Sequence, residues 1–353
     1  MNKKMFRSCL SLIALIGLFF VTACSGSNSG GNASNSPAAN SPSAASPASS
    51  AASDSSQQQL HIAALMQGNQ SGFVQYMTSG MYEYQKASAP DVKLDVVFAD
   101  DDPAKQQSQM ETFVSQKVDA IILNPVDKVQ SAAAVDIAAK AGIPVITLNT
   151  KSDSQNVTAH VGSDDVEAGK MQMEQLLKDA PQNPRVAYVD AVLGHSAQVF
   201  RSQGYNEVLA AHPEAKLVVH DTADWSGEKA LALVENWLQT YPNGIDVIAT
   251  EADVILTGVI TAVENAGLAG KILIAGMDCD MPVLEKIKAG VVDNSIWQDG
   301  VGQGSNALRL AIEAAKGNKV SDFLIPYELC TKDNVDKYIE LAKARNELAS
   351  KYF

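Results

Sequence analysis

Short apolar runs rich in β-branched residues alternate with amphipathic stretches over residues 60–353, and this alternation constrains the fold more than any other feature. Strands separated by helical patterns are typical of βαβ units. The predicted strands cover residues 60–66, 94–98, 120–123, 145–148, 186–189, 217–220, 247–250 and 272–275. Because strands that are apolar on both faces need helices on both sides, we predict an α/β fold with parallel sheets.

Two of the predicted helices have recognisable ends. Asp102 is a suitable N-cap and Pro103 fits the first helical position of one helix. The other helix covers residues 126–141 and should stop at Gly142. Residues 60–353 exceed the length that one hydrophobic core usually holds, so we predict two lobes.

The N-terminal region has the order of an export signal. Basic residues precede an apolar run over residues 10–21, and small residues lead directly to Cys24. Since this run is too short to span a bilayer stably, we interpret residues 1–23 as a lipoprotein signal peptide and Cys24 as the lipidated residue. An uncleaved anchor and an ordinary secretory signal are the alternatives.

The next segment, residues 24–59, has the composition of a tether. After Cys24 it consists almost entirely of Ser, Ala, Asn, Gly, Pro and Gln. Such a segment cannot bury enough apolar surface to fold, so we expect a disordered link between the lipid and the lobes.

The charge and cysteine content exclude several classes of ligand. The formal net charge is -13, and residues 1–23 contain basic residues but no acid. An acidic body argues against nucleic acid as a partner. Neither cysteines nor histidines have metal-ligand spacing, so we predict no metal and no cofactor. Cys279 and Cys330 could form a disulfide in an exported protein or remain buried free thiols.

Polar residues follow the apolar runs at five predicted strand ends. They are Gln67, Asn69, Gln70, Ser71, Asn124, Asn149, Thr150, Glu251, Asp253 and Asp278. Ligands of parallel α/β sheets bind beyond the carboxyl ends of the strands, so these residues are candidates for a shared cleft. The same residue types favour turns and helix caps, which is the alternative at each position.

Several motifs in fixed order resemble those of one family. They are IAAL at 62–65, IILNPVD at 121–127, AGIPVITLN at 141–149, HVGSD at 160–164, RSQGY at 201–205, ADW at 223–225, IAGMD at 274–278 and IWQD at 296–299. Together they resemble the ribose-binding-like extracytoplasmic solute-binding proteins, which are the type I sugar-binding components of ABC importers. The resemblance covers nearly all of residues 60–353.

The resemblance implies two Rossmann-like lobes with parallel sheets, joined by a three-crossing hinge, which is the type I periplasmic-binding-protein fold. The N-terminal lobe would comprise residues 60–163 and 299–329, and the C-terminal lobe residues 164–298 and 330–353. We expect the third crossing near residues 330–331. Hinges of this kind close around the ligand as nearly rigid lobes.

The resemblance also implies sugar contacts at six positions, which are Phe73, Asn124, Arg201, Trp225, Asp278 and Gln298. Phe73 and Trp225 would pack on the apolar C–H faces of a sugar, and the polar four would bond its oxygens. Trp297 is expected to pack within a strand instead.

Three further candidates lie where the chain departs from the ribose pattern. Asn149 and Thr150 stand where ribose binders carry an Asp-Arg pair, and Glu251 and Asp253 stand near the family's Asn-Asp pair. We predict that Asn149, Glu251 and Asp253 also contact the ligand. The loss of an arginine and the gain of an acid favour another neutral monosaccharide, an inositol or another polyol over D-ribose.

The resemblance implies an extracytoplasmic substrate-binding subunit of an ABC importer, which captures a monosaccharide or polyol and delivers it to a permease with its ATPase subunits. A sensor that acts with a membrane kinase or chemoreceptor is the alternative on the same fold. A sugar-processing enzyme with Asp278 and Glu251 as paired carboxylates is disfavoured, because no nucleophile elbow, phosphate loop or metal motif accompanies them. We expect a monomer on the outer face of the cell membrane, typical of a Gram-positive cell.

Overall fold

The computed structural model of the protein describes residues 59–241 and 244–353. The predicted signal peptide, Cys24 and nearly all of the tether lie outside these residues. Within the described ranges no helix is long and apolar enough to cross a membrane. The same residues contain no cluster of His, Cys, Asp and Glu side chains that could hold a metal ion.

Strands and helices alternate along almost the whole described chain. The strands are β1 (His61–Met66), β2 (Lys93–Phe98), β3 (Ala120–Leu123), β4 (Val145–Leu148), β5 (Ala159–Gly162), β6 (Arg185–Asp190), β7 (Lys216–Thr222), β8 (Val247–Thr250), β9 (Leu273–Met277), β10 (Asn294–Trp297), β11 (Phe323–Leu324) and β12 (Glu328–Thr331). The helices are α1 (Gly72–Ser88), α2 (Pro103–Ser115), α3 (Ser131–Lys140), α4 (Asp165–Asp179), α5 (Ser196–Ala211), α6 (Gly227–Thr240), α7 (Asp253–Asn265), α8 (Met281–Ala289), α9 (Gly300–Ala315) and α10 (Val335–Ala349).

The strands form two six-stranded sheets, one in each lobe. The first lobe has the order β11-β5-β4-β3-β1-β2, and all of its strand pairs are parallel. The second lobe has the order β12-β10-β9-β8-β6-β7, and only β12 is antiparallel to its neighbour. The predicted α/β class with parallel sheets is therefore confirmed.

Each sheet buries both faces under helices. In β1, Ile62 and Ala64 pack with residues of α1 and α9. The intervening Ala63 packs on the opposite face with residues of α2 and α3. In the second lobe Ile248 packs with α6, α7 and α8, whereas Val247 packs with α4 and α5. Because both faces are covered, these strands are continuously apolar, which is the pattern that made them recognisable.

A very close approach of α1 to α9 fixes the N-terminal end of α1 at the rim of the first lobe. A Cβ atom at Gly80 would lie 2.1 Å from the carbonyl oxygen of Val301, and one at Gly304 would lie 1.8 Å from that of Met77. Only glycine permits this contact. The contact holds α1 against α9 close to where the chain crosses between the lobes.

The third crossing between the lobes differs from the prediction. The chain crosses at residues 163–164 and 298–299, and then at residues 325–327 rather than near 330–331. The amide of Ile325 still donates to Gly162 O in the first lobe. Glu328 already pairs with Trp297 in β10. This antiparallel pairing draws residues 328–331 into the second sheet.

The third helix is also shorter than predicted, because it begins at Ser131 rather than at residue 126. Asp127 Oδ1 accepts hydrogen bonds from the amides of Val129 at 2.9 Å and Gln130 at 2.6 Å. An Asp side chain that bonds nearby amides stabilises a turn in competition with the helix. Residues 126–130 therefore form a turn on the cleft side of the first lobe.

The two cysteines of the body lie together in the core of the second lobe. Cys279 and Cys330 are both fully buried and are free thiols in the structure. Their hydrophobic cluster includes Trp297 and Tyr338. The disulfide that the sequence left open is thus not formed here.

Candidate ligand-binding site

A cavity of about 390 Å³ lies between the two lobes, beyond the carboxyl ends of their strands. Its lining side chains are mostly polar and come from both sheets. They belong to Gln67, Gln70, Ser71, Phe73, Val74, Met77, Asp101, Asn149, His195, Ala197, Arg201, Trp225, Ala252, Val254, Asp278, Asp280 and Gln298. The volume and the mixture of aromatic and polar groups suit a small molecule.

Six of the nine predicted ligand contacts line this cavity. They are Phe73, Asn149, Arg201, Trp225, Asp278 and Gln298. Two of these belong to the first lobe, three to the second, and Gln298 to a crossing segment. The position of polar residues after strand ends and the motifs that resemble the family therefore indicate the same cavity.

Asn124 lies behind the cavity wall instead of in it. Its side chain is fully buried and donates to Leu148 O and Thr150 Oγ1, both at 3.0 Å. Its Oδ1 accepts from the Gln67 amide at 3.4 Å. These bonds hold together the ends of β1, β3 and β4, so Asn124 supports the residues that do reach the cavity.

Glu251 is likewise turned into the second lobe. Its Oε2 accepts from the Ala191 amide at 2.7 Å, and its Oε1 lies 2.8 Å from Ser202 Oγ. Ser202 Oγ also lies 2.7 Å from Asp190 Oδ1. A hydroxyl has one proton and cannot donate to two carboxylates, so one of these two acids is protonated, and burial favours Glu251 as that acid. Burial raises its pKa to about 8, in agreement with this pattern.

Asp253 is the third predicted contact that the structure does not bring to the cavity wall. It is fully buried, accepting from the Asp280 amide at 2.8 Å and from Ser295 Oγ at 2.9 Å. Asp253 is the first residue of α7, which turns its carboxylate inward towards β9 and β10. It positions the loop that carries Asp278 and Asp280.

Arg201 is held rigidly by protein partners at one side of the cavity. Its side chain is 4% exposed, and its Nε donates to Asp165 Oδ1 at 2.9 Å. Its two terminal nitrogens donate to Glu251 O at 2.5 Å and Tyr327 Oη at 3.2 Å. The ion pair with Asp165 balances its charge, and the three bonds fix the plane of the guanidinium.

Two aspartates form the acidic side of the cavity. Asp278 has a φ of 111°, outside the usual region for a non-glycine residue. Burial raises the pKa of Asp278 to about 7, and the neighbouring charge of Asp280 adds to the effect. Burial also raises the pKa of Asp280. A ligand that donates hydrogen bonds to these carboxylates would relieve their unfavourable burial.

A chain of amides links this acidic side to the first lobe. Gln298 Nε2 donates to Asp278 Oδ1 at 3.3 Å. Gln298 Oε1 accepts from Asn149 Nδ2 at 2.8 Å. Asn149 has a φ of 62°, which Asn tolerates better than most residues and which aims its amide at the crossing segment. The pair therefore couples the two lobes at the hinge.

The aromatic walls stand on different lobes. Phe73 belongs to α1, whereas Trp225 follows β7 in a turn in which Asp224 and Trp225 have φ values of 50° and 58°. Such a turn is energetically unfavourable for non-glycine residues and persists only when its surroundings hold it. His195 packs edge-on against Trp225 with ring centroids 5.1 Å apart. Both rings line the cavity, one from each lobe.

The lobes touch across the cleft, so the structure is a closed one. Gln67 Nε2 lies 3.0 Å from His195 Nε2 across the cavity. The Lys151 amide donates to Ser196 Oγ at 2.9 Å. Burial lowers the pKa of His195 to about 4, so its ring is neutral. Since Nδ1 accepts from the Ala197 amide at 3.3 Å, Nε2 carries the single ring proton and faces the Gln67 amide group.

Six polar cavity residues were absent from the predicted ligand contacts, namely Gln67, Gln70, Ser71, Asp101, His195 and Asp280. Gln67, Gln70 and Ser71 follow β1, and the sequence marks them only as polar residues after a strand. His195 carried no usable signal, because a histidine outside a catalytic or metal pattern looks the same wherever it lies. Asp101 and Asp280 precede helices, where aspartate usually serves as a cap.

Comparison with known proteins agrees with this geometry. The profile of the family described as "Periplasmic binding protein domain" matches residues 62–319. The chain therefore belongs to the periplasmic binding protein family. Within it, the chain is a ribose-binding-like type I sugar-binding protein of the class that serves ABC transporters. The family implies a location outside the cytoplasm.

Among relatives, the xylitol-binding protein of Mycolicibacterium smegmatis is 30% identical over 76% of this chain and 77% of its own length. The putative rhizopine-binding protein of Rhizobium meliloti is 31% identical over 74% of this chain and 87% of its own length. An ABC transporter solute-binding protein from Bacillus halodurans, solved with bound myo-inositol, is 35% identical, with a TM-score of 0.75 over 80% of this chain and 98% of that chain.

Proposed function

We propose that this protein captures a neutral polyol, with a cyclic polyol such as an inositol as the best match, by closing its two lobes around it. The observation that carries the proposal is the cavity itself, in which Phe73 and Trp225 face a space rimmed by carboxylates and amides. A polyol ring has apolar C–H faces for the aromatic walls and hydroxyl groups for the polar rim.

The charges around the cavity support a neutral ligand rather than an acidic sugar. Asp101, Asp278 and Asp280 line the cavity, whereas Arg201 already donates from each of its three nitrogens to a protein oxygen. Hydroxyl groups can donate to the carboxylates. A carboxylate on the ligand would instead meet like charges in a poorly hydrated space.

The relatives support the same class of ligand. One is named for xylitol and another was solved with myo-inositol, both of which are neutral polyols. We propose no catalytic step, and the relatives named above are binding or solute-binding proteins.

Calorimetry on residues 60–353 would test the proposal with myo-inositol, xylitol, D-ribose and D-glucuronate as probes. We expect myo-inositol or xylitol to bind, D-glucuronate to bind at least tenfold more weakly, and every probe to be recovered unchanged. At a hundred times its dissociation constant, a ligand stabilises the fold by about 2.7 kcal/mol, which thermal melting detects independently. Binding of D-glucuronate alone, or consumption of any probe, would contradict the proposal.

The cellular role that we propose is delivery of this ligand to an ABC permease from a lipid anchor on Cys24. The acyl group would hold the protein at the outer face of the membrane. Labelled fatty acid should be incorporated into the native chain and not into Cys24→Ser. Uptake of the labelled polyol should fall when the gene is deleted and recover on complementation, and a deletion strain with undiminished uptake would contradict delivery.

A further inference from the structure

The last described residues reach from the second lobe, to which α10 belongs, to the first lobe. Val335, Tyr338 and Ala342 of α10 pack in the hydrophobic cluster of the second lobe. Residues 345–353, which comprise the last turn of α10 and the residues after it, also contact the first lobe. We call this segment the C-terminal strap.

The strap makes two polar contacts with α1. Tyr76 Oη donates to Asn346 Oδ1 at 2.7 Å. Tyr352 Oη donates to Glu83 Oε1 at 2.7 Å. Tyr76 and Glu83 lie about two helical turns apart along α1. The strap therefore runs along this helix rather than touching it at one point.

Aromatic contacts reinforce this seam. The rings of Tyr352 and Tyr82 have centroids 5.0 Å apart, and those of Phe353 and Phe98 lie 6.4 Å apart. Phe98 ends β2, which is the edge strand opposite β11 in the first sheet. Two of the three crossings leave from β5 and β11, so the Phe353 contact lies at the opposite edge of the sheet from them. A hinge rotation that separates rigid lobes should break it.

Arg345 connects the strap to the cavity. Its guanidinium carbon lies 4.1 Å from the ring centroid of Tyr76 in the first lobe and 4.7 Å from that of Trp297 in the second. The side chain is only 3% exposed. A guanidinium that lies over two aromatic rings gains a cation–π interaction from each, and one of these rings belongs to the first lobe.

The nitrogens of Arg345 hold the loop that carries two cavity carboxylates. Nη1 donates to Asp278 O at 2.8 Å, and Nη2 donates to Cys279 O at 3.1 Å and Asp280 Oδ1 at 3.0 Å. Asp278 and Cys279 have φ values of 111° and 51°, an unfavourable backbone that needs support from its surroundings. Arg345 supports this loop by donating to its carbonyl groups, and Ser295 and Asp253 support it by accepting from the amides of Cys279 and Asp280.

We propose that Arg345 is a positioning residue that sets the Asp278 and Asp280 carboxylates for the ligand, and that the C-terminal strap stabilises the closed arrangement of the lobes. The inference rests on the proposed function, because it assigns a role in binding to residues outside the cavity. Closure places Tyr76 on Arg345, and Arg345 in turn steadies the loop that faces the ligand.

Small-angle scattering without ligand tests the strap first, by measuring the radius of gyration of wild type and of the Tyr352→Ala/Phe353→Ala double variant. The control variant is Leu341→Ala, because Leu341 is an exposed residue of α10. We then measure release of myo-inositol by Trp fluorescence. We expect the double variant to have a larger ligand-free radius of gyration, or to release the probe at least fivefold faster, with an association rate within twofold of the control. A double variant equal to the control in radius and release rate would overturn the strap, whether or not myo-inositol is the natural ligand.

The positioning role is tested with Arg345→Lys and Arg345→Met. We expect Arg345→Lys, which keeps the charge but cannot bond both carbonyls in the same fork, to weaken myo-inositol binding at least tenfold. The positive charge of Arg345 lowers the pKa of Asp278. Carboxyl NMR without ligand should therefore give Asp278 a pKa near the wild-type value in Arg345→Lys, which keeps the charge. The Asp278 pKa should be higher in Arg345→Met, which loses the charge. If Arg345→Met does not fold, Arg345→Lys carries the test. Wild-type affinity in Arg345→Lys would overturn the positioning role. An unchanged Asp278 pKa in a folded Arg345→Met would show that the charge of Arg345 does not act on Asp278.

Discussion

The two walls of the cavity are built in different ways. The wall on the second lobe carries Arg201, Asp278 and Asp280, and buried groups hold each of them. Arg201 donates to Asp165, and Arg345 donates to the carbonyl of Asp278 and to the carboxylate of Asp280. The wall on the first lobe carries Gln67, Gln70 and Phe73, on or next to the N-terminal end of α1. The charged wall is thus organised before ligand arrives, whereas the mostly neutral wall supplies a ring and amides on closure.

This difference between the walls predicts which residues contribute most of the free energy of ligand binding. Groups that are already fixed lose little conformational entropy when they bind a ligand. The Gln70 side chain on the first lobe is exposed and must still be ordered. We therefore expect the second lobe to dominate the affinity and the first lobe mainly to slow release.

The largest effect is expected at the charged wall. Asp278→Ala removes a buried acceptor that faces the cavity, so binding of the polyol should weaken by about 2–5 kcal/mol. Calorimetry would measure it, with Glu264→Ala as the control, since Glu264 pairs with Lys286 at the surface of the same lobe and does not line the cavity. Equal affinities for the two variants would place the ligand elsewhere.

The next effect concerns the pH dependence of stability in the second lobe. Glu251 has its pKa raised by burial from 4.5 to about 8, so the folded state binds a proton that the unfolded state has lost between these values. Stability from this group is therefore fully present below pH 4.5 and is lost as the pH rises towards 8. We expect the loss between pH 5 and 8 to be about 3 kcal/mol.

Glu251→Gln should remove that dependence, because its amide can donate to Ser202 and accept from the Ala191 amide at every pH. Urea unfolding at pH 5 and pH 8 would measure the change, and the Asp179→Asn variant, an exposed acid of α4, serves as the control. A wild-type protein whose stability rises over this interval relative to Glu251→Gln would show that Glu251 is charged.

A smaller effect is expected at the aromatic wall of the second lobe. Trp225→Ala removes a ring that lines the cavity, so affinity for the proposed polyol should fall by about 2 kcal/mol. The matched control is Trp237→Phe in the core of the same lobe, which should lower the melting temperature and leave affinity unchanged. If Trp225→Ala bound the ligand with wild-type affinity, the Trp225 ring would have only a structural role.

The smallest effect is expected at the neutral wall. Gln67→Leu removes the contact with His195 across the cleft, so affinity should fall by about 1 kcal/mol. Stopped-flow fluorescence should show that most of the change lies in faster dissociation. A loss as large as that of Asp278→Ala would reverse the comparison between the walls.

Much of this site could be read from residue positions along the chain. Polar residues directly after apolar strands led to Asn149 and Asp278, because strand ends of a parallel sheet face one rim. The motifs that resemble the family led to Phe73, Arg201, Trp225 and Gln298. Their placement needed only the order of strands and helices, which period and composition predict well.

The same rule could not separate Asn149 from Asn124. Both follow a buried strand, yet Asn124 bonds the ends of neighbouring strands and Asn149 reaches Gln298. The difference lies in one backbone angle and in the partners that the fold brings close. Neither is visible in a local pattern.

The sequence by itself determined the alternation of strands and helices, the two-lobed class and the rim at which the polar residues meet, because these follow from local period and covalent order. Tertiary structure alone decided which carboxylates face the cavity. It turned Asp253 inward to support Asp280, brought Arg345 from residues far along the chain under the same loop, and placed Tyr76 of the opposite lobe on that arginine. Such choices depend on packing and hydrogen bonding between distant segments, where burial makes each unpaired polar group costly.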